Sequence, residues 1–139
     1  MKALKYSKGY ILKFSKDELL VNEILKFSKK NKIKFAWFDG LGAAQGVELG
    51  YYSINSQDYQ WQTFTKLAEV TNLTGNVSIL NNEHFVHAHI TLTDEHFKAF
   101  GGHLKELVVG GTVEINLRLI NKNINRVYEE TTGLNVLDL

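Results

Sequence analysis

Cysteine and proline are both absent from this 139-residue chain. Without cysteine there can be no disulfide framework and no thiolate metal site, so a bound metal must use histidine, aspartate or glutamate. The absence suits a reducing compartment, and a cytoplasmic setting is the expectation. Without proline, turns fall to Gly, Asn, Asp and Ser. Arginine is scarce, with Arg118 and Arg126 alone among sixteen basic residues. No apolar run approaches the roughly 20 residues of a membrane span, and Met1–Phe14 lacks the apolar centre of a signal peptide, so no membrane partner is expected.

A strong net charge is missing too. The formal charge is +1, which argues against general attraction to nucleic acid or to an acidic membrane. It is unevenly spread. Residues 1–34 hold ten lysines against Asp17, Glu18 and Glu23, a net +7, and the remainder carries −6. A phosphate-reading surface usually employs arginine as well, so a solvated lysine surface is the better account of the first third.

Hydrophobic residues make up 44% of the chain, enough for one domain over residues 1–139 to bury a core. Residues 3–14 read as a strand. Ser15-Lys16-Asp17-Glu18 has the form of a capping box, and Leu20, Ile24 and Phe27 make one apolar stripe, which predicts a long helix to about Asn31. The period then changes to two. Strands are expected over 33–38 and 47–54, with Gly40, Gly42 and Gly46 interrupting, then over 59–65, 69–80, 84–93 and 111–120. Asp94–Phe100 reads as a short helix or loop closed by Gly101-Gly102, and Arg126–Leu139 as an edge strand and tail. One long N-terminal helix packed on about seven mostly antiparallel strands defines a single-domain α+β fold.

The chemistry-bearing residues are three histidines. His87 and His89 lie two residues apart, and His103 follows fourteen residues later after a glycine pair. Side chains alternate across a strand, so Val86, Ala88, Ile90 and Leu92 share a core face while His87 and His89 share the other. Residues at i and i+2 stand about 7 Å apart, close enough for imidazoles to converge on one ion. The glycine pair permits a close approach or a sharp turn, and either can bring His103 alongside. Three histidines with an open position suit Zn²⁺. Half-exposed strand histidines without a metal are the plainer alternative. His84 and His96 fall on the wrong face or on a loop. Glu69 is a candidate general base or partner to a histidine, and a surface carboxylate is the competing account. Asp39-Gly40-Leu41-Gly42 lacks the context of a phosphate loop and reads as strand bending. Arg118 can pair across a subunit boundary or bind an anion.

Five ordered blocks carry a resemblance across residues 5–133: Ala36–Ala43, Val47–Tyr52, Glu69–Asn76, Phe85–His89 and Gly101–Leu104. The chain resembles the plant and prokaryote conserved domain, abbreviated PPC. That resemblance implies an α+β domain on an antiparallel sheet, a homotrimer, and a metal held at His87, His89 and His103, with zinc the expected ion. The cupin motif, His-x-His followed by a carboxylate and Gly, is a lesser fit, because its second half needs a proline. Plant relatives carry the domain beside an AT-hook, an Arg-Gly-Arg-Pro segment that enters the DNA minor groove. This chain has no such segment, and fold analogy alone is a weak warrant for DNA binding.

The expectation is therefore a trimeric PPC-domain protein with a three-histidine zinc site, serving small-molecule binding or a metal-assisted reaction. A nucleic-acid accessory role through the lysine-rich third is the rival. A purely structural interaction domain is the third reading.

Overall fold

The computed structural model describes residues 1–139. Nine strands and one helix follow in the order β1 (Lys2–Tyr6), β2 (Gly9–Ser15), α1 (Leu20–Lys30), β3 (Ala36–Ser53), β4 (Asp58–Phe64), β5 (Ala68–Leu80), β6 (Glu83–Thr93), β7 (Ala99–Leu119), β8 (Arg126–Glu129) and β9 (Leu134–Leu137). Seven strands form one antiparallel sheet in the order β1-β2-β7-β6-β5-β3-β4, and β8 and β9 form a separate hairpin. A further pairing of β7 with β3 closes β3, β5, β6 and β7 into a ring, which removes the free edges these long strands would otherwise expose.

Strand alternation sends one row of each strand inward. Leu12 and Phe14, Phe38, Leu73 and Val77, Ile90 and Leu92, and Leu107, Ile115 and Leu117 are all buried in a single cluster. Helix α1 lays Leu20, Ile24 and Phe27 on that cluster. The predicted single-domain antiparallel architecture is the one observed, while the predicted long helix is not.

The helix has only 11 residues and starts at Leu20. The capping-box residues make a turn instead. The Ser15 amide donates to the Glu18 carboxylate at 2.8 Å, but Ser15 belongs to β2, Asp17 takes a positive φ of 71°, and Leu19 bridges to Val108. Pairing with β7 thus outcompetes the local helix signal. Leu19 has no side-chain cap to offer, and Glu106 of β7 supplies one from across the fold. Its two carboxylate oxygens accept from the Val21 and Asn22 amides at 2.7 and 3.1 Å. An anion there also meets the positive end of the helix dipole.

Three strand boundaries differ from expectation. Residues 3–14 form the β1–β2 hairpin, which turns at Ser7-Lys8, and a Cβ at Gly9 would lie 1.9 Å from the Leu117 carbonyl oxygen, so only glycine lets β2 press this close to β7. The glycines at 40, 42 and 46 bend β3 through register shifts without ending it. Strand β7 runs unbroken through Gly101 and Gly102.

Replacing Glu106 with alanine orphans two helix amides, so unfolding free energy should fall by about 1–2 kcal/mol. The shift in urea midpoint measures it. Glu106→Gln keeps an acceptor without the charge and should recover part of the loss.

Candidate metal centre

Strands β6 and β7 set the histidines by register. His89 lies directly opposite His103, and Ile90 opposite Gly102. His87 is two residues back along β6 on the same outward face, while Ala88 and Ile90 point into the core. The glycine pair acts by close approach and not as a turn. A Cβ at Gly101 would stand 2.1 Å from the Ile90 carbonyl oxygen, so any side chain there would force the two strands apart. The three rings meet with centroids 5.2, 5.2 and 5.5 Å apart, and one ligating nitrogen from each lies within 4.8 Å of the others.

The cluster forms part of a cleft of about 1000 Å³. Tyr59 and Trp61 stack on each other at 4.7 Å, and Tyr59 meets the His103 ring at a 46° tilt with centroids 5.1 Å apart. Gly50 makes room for this wall, since a Cβ there would press into both rings at 2.7–2.8 Å. The β8–β9 hairpin contributes Arg126 and Leu134–Leu137 on the other side. Arg126 is buried, and its guanidinium donates to Ser78 Oγ and Asn76 Oδ1, both at 2.9 Å, to the Asn135 carbonyl at 2.6 Å, and to His87 Nδ1 at 3.3 Å.

Burial disfavours the charged imidazole, and nearby positive groups add to the effect. Burial pushes His87 down to about 4, helped by Arg126, His103 and His89. Burial likewise pushes His103 down to about 4, helped by His89 and Arg126. Both rings are therefore neutral at pH 7, the form that binds metal. His103 Nδ1 is buried without any hydrogen-bond partner, an orphaned lone pair or N–H that a ligand could satisfy. Burial also draws Arg126 down, against the opposing influence of Tyr59.

The structure brings His87, His89 and His103 together and leaves Glu69 apart. Glu69 is exposed opposite Thr93, five positions along β5 from Thr74, the partner of His89. His84 instead contacts the Ile33 carbonyl at 2.9 Å, and His96 sits at the surface beside Glu95. Arg118 pairs with Asp39 within the chain. Sequence reasoning passed over Arg126 and the aromatic wall. The rarity of arginine in a lysine-rich chain was a signal that could have singled out Arg126.

The Plants and Prokaryotes Conserved (PCC) domain matches residues 1–121. Among solved structures, a plant- and prokaryote-conserved protein of Pyrococcus horikoshii is 32% identical with a TM-score of 0.87, covering 100% of this chain and 98% of its own. A candidate DNA-binding protein of Bacteroides thetaiotaomicron is 28% identical with a TM-score of 0.95, covering 99% and 96%. A metal-containing protein of Archaeoglobus fulgidus is 28% identical with a TM-score of 0.85, covering 98% of each chain. No curated protein is similar enough to this chain to count as a match.

The depressed histidines make a stability prediction for the metal-free protein. Their contribution is fully present above the ordinary value of 6.5 and is lost as pH falls toward about 4, because the unfolded chain takes up the protons first. Thermal midpoints should hold level above that window and fall within it. The double variant His87→Gln/His103→Gln should flatten the profile.

Proposed function

The chain belongs to the Plants and Prokaryotes Conserved domain family, and on that premise we propose that His87, His89 and His103 hold a divalent metal, zinc, beside a small-molecule cleft in a homotrimer. The observation that carries the reading is the buried, unpartnered Nδ1 of His103 beside two further imidazoles. Tetrahedral bonds of roughly 2.0–2.1 Å set ligand atoms about 3.3 Å apart, which small side-chain rotations can reach from the present separation. No cysteine or carboxylate competes within the cluster, and three imidazole ligands leave a position open. The metal-containing relative from Archaeoglobus fulgidus supports the same reading.

A zinc ion held this way supplies Lewis acidity to whatever ligand occupies the open position. The chain's own residues do the rest. Tyr59 and Trp61 shield one side of His103 from water and offer flat apolar surface, and Arg126 fixes the β8–β9 hairpin against β5 through Ser78 and Asn76. The homotrimer is the assembly that the family resemblance implies.

A second reading is DNA association, and one feature favours it. Lys8, Lys32, Lys34, Arg118 and Lys122 line a groove of about 890 Å³, and the relative from Bacteroides thetaiotaomicron is described as a candidate DNA-binding protein. The groove uses a different surface from the histidines.

Elemental analysis should find about one metal ion per chain, as purified or after reconstitution, and the triple variant His87→Ala/His89→Ala/His103→Ala should retain none while keeping its circular dichroism. A wild-type protein that never takes up stoichiometric metal overturns the metal reading. Light scattering should give three times the chain mass of 15.8 kDa. The DNA reading requires duplex affinity that falls steeply with salt, and no mobility shift at low salt removes it.

A further inference from the structure

Arg126 is a buried cation that nothing in the protein neutralises. It is 8% exposed, and no carboxylate comes within 4.0 Å of it. A guanidinium has five N–H donors. Four meet neutral acceptors, namely Ser78, Asn76, Asn135 and His87, and one Nη1 N–H is left over. The contact with His87, at 3.3 Å, is the longest of the four. Buried charges are normally paired, because removing one from water is costly. The cleft wall holds one acidic residue, Asp58, which is exposed and accepts from the Tyr59 amide. Arg126 also lies outside residues 1–121, the part of the chain that matches the family.

We infer that the cleft takes a small organic carboxylate, whose carboxylate meets Arg126 and whose body lies along Tyr59 and Trp61. This rests on the proposed small-molecule cleft and gives its ligand a chemical class. Two N–H groups of one guanidinium match the two oxygens of a carboxylate. The donors available are the free N–H of Nη1 and the Nη2 N–H now given to His87. The latter becomes free on metal loading. If His87 ligates through Nδ1, that lone pair is taken, and if through Nε2, Nδ1 carries the proton. Either way His87 no longer accepts from Arg126, so metal loading frees a second donor for the anion. The stacked rings beside His103 suit a flat or apolar body, which inorganic phosphate lacks.

Both tryptophans of the chain, Trp37 and Trp61, line the cleft, so their fluorescence reports its occupancy. Phenylacetate, its neutral analogue 2-phenylethanol and inorganic phosphate are titrated into the full chain, as purified and after chelation. Phenylacetate should give a saturable change at least about tenfold tighter than 2-phenylethanol. Arg126→Met should lose that preference. Arg126→Lys keeps the charge without the planar fork and should retain only part of it, which covers the case where the methionine variant fails to fold. No saturable response to phenylacetate in wild-type protein, equal binding of the neutral analogue, phosphate binding as tightly as phenylacetate, or a full preference in folded Arg126 variants each overturns the inference. Wild-type discrimination is read without any variant, so a purely structural Arg126 is exposed by its absence. Metal content of the same samples tests the metal reading separately, and a preference that survives chelation upholds the carboxylate without it.

Discussion

Strand β7 hydrogen-bonds β6 over Ala99–His103, β3 over most of the remaining length, and β2 over Thr112–Arg118. Three partners on one strand leave little freedom of register. A slip by one residue would turn Leu104, Leu107 and Val109 outward and carry His103 into the core. The burial of that apolar row is therefore what holds His103 opposite His89. The same strand carries Glu106 to the start of α1, so the helix cap and the histidine cluster are fixed by one set of pairings. The requirement for close packing falls on backbone positions, above all Gly101, where a side chain would separate β6 from β7.

The charge arrangement in the cleft follows from the burial. Two imidazoles driven to the neutral state need shed no proton to bind a metal at pH 7. Arg126 contributes to that neutrality, since its charge opposes a second positive charge on His87. The arginine is tolerated because four acceptors replace its water, two of them the buried Asn76 and Ser78 of β5. The hairpin that carries it is held as well by the Phe85 ring, 5.1 Å from the guanidinium, by Tyr52 and Gln57, which donate to the Thr132 and Glu130 carbonyls at 2.6 and 3.0 Å, and by a bridge from Asn125 to Ile79. Position and charge at this residue are tied together: removing the cation also removes the hairpin's side-chain bonds to Ser78 and Asn76.

Alternation made much of the candidate site legible. Val86, Ala88, Ile90 and Leu92 form an aliphatic row, so His87 and His89 had to share the opposite face, as they do. Composition and period-two patterning likewise carried the antiparallel sheet. The role of Gly101-Gly102 was not decidable locally, because glycine permits a turn and a close approach equally, and only the β6 partner selects between them. The helix start failed for a related reason. Ser15 and Glu18 form a local hydrogen bond that fits a helix cap, but the same residues are held by β2 and β7 pairing, and tertiary contacts outweigh a cap of about 1 kcal/mol. Arg126 was invisible to periodicity altogether. Its importance comes from what surrounds it, and strand β5 is some fifty positions earlier in the chain.

Similarity of fold cannot choose between the cleft and the lysine groove, because scaffolds of this kind host unrelated sites. Geometry can. The cationic groove is built from the β1–β2 turn, the residues after α1 and the end of β7, whereas the histidine cleft is built from β3, β4, β5, β6, the start of β7 and the final hairpin. Trp37 is the one side chain that borders both. A phosphate backbone lying in the groove needs none of the histidines, and a ligand in the cleft needs none of the lysines. The two readings therefore draw on independent residues, and a result for one surface leaves the other open except through Trp37.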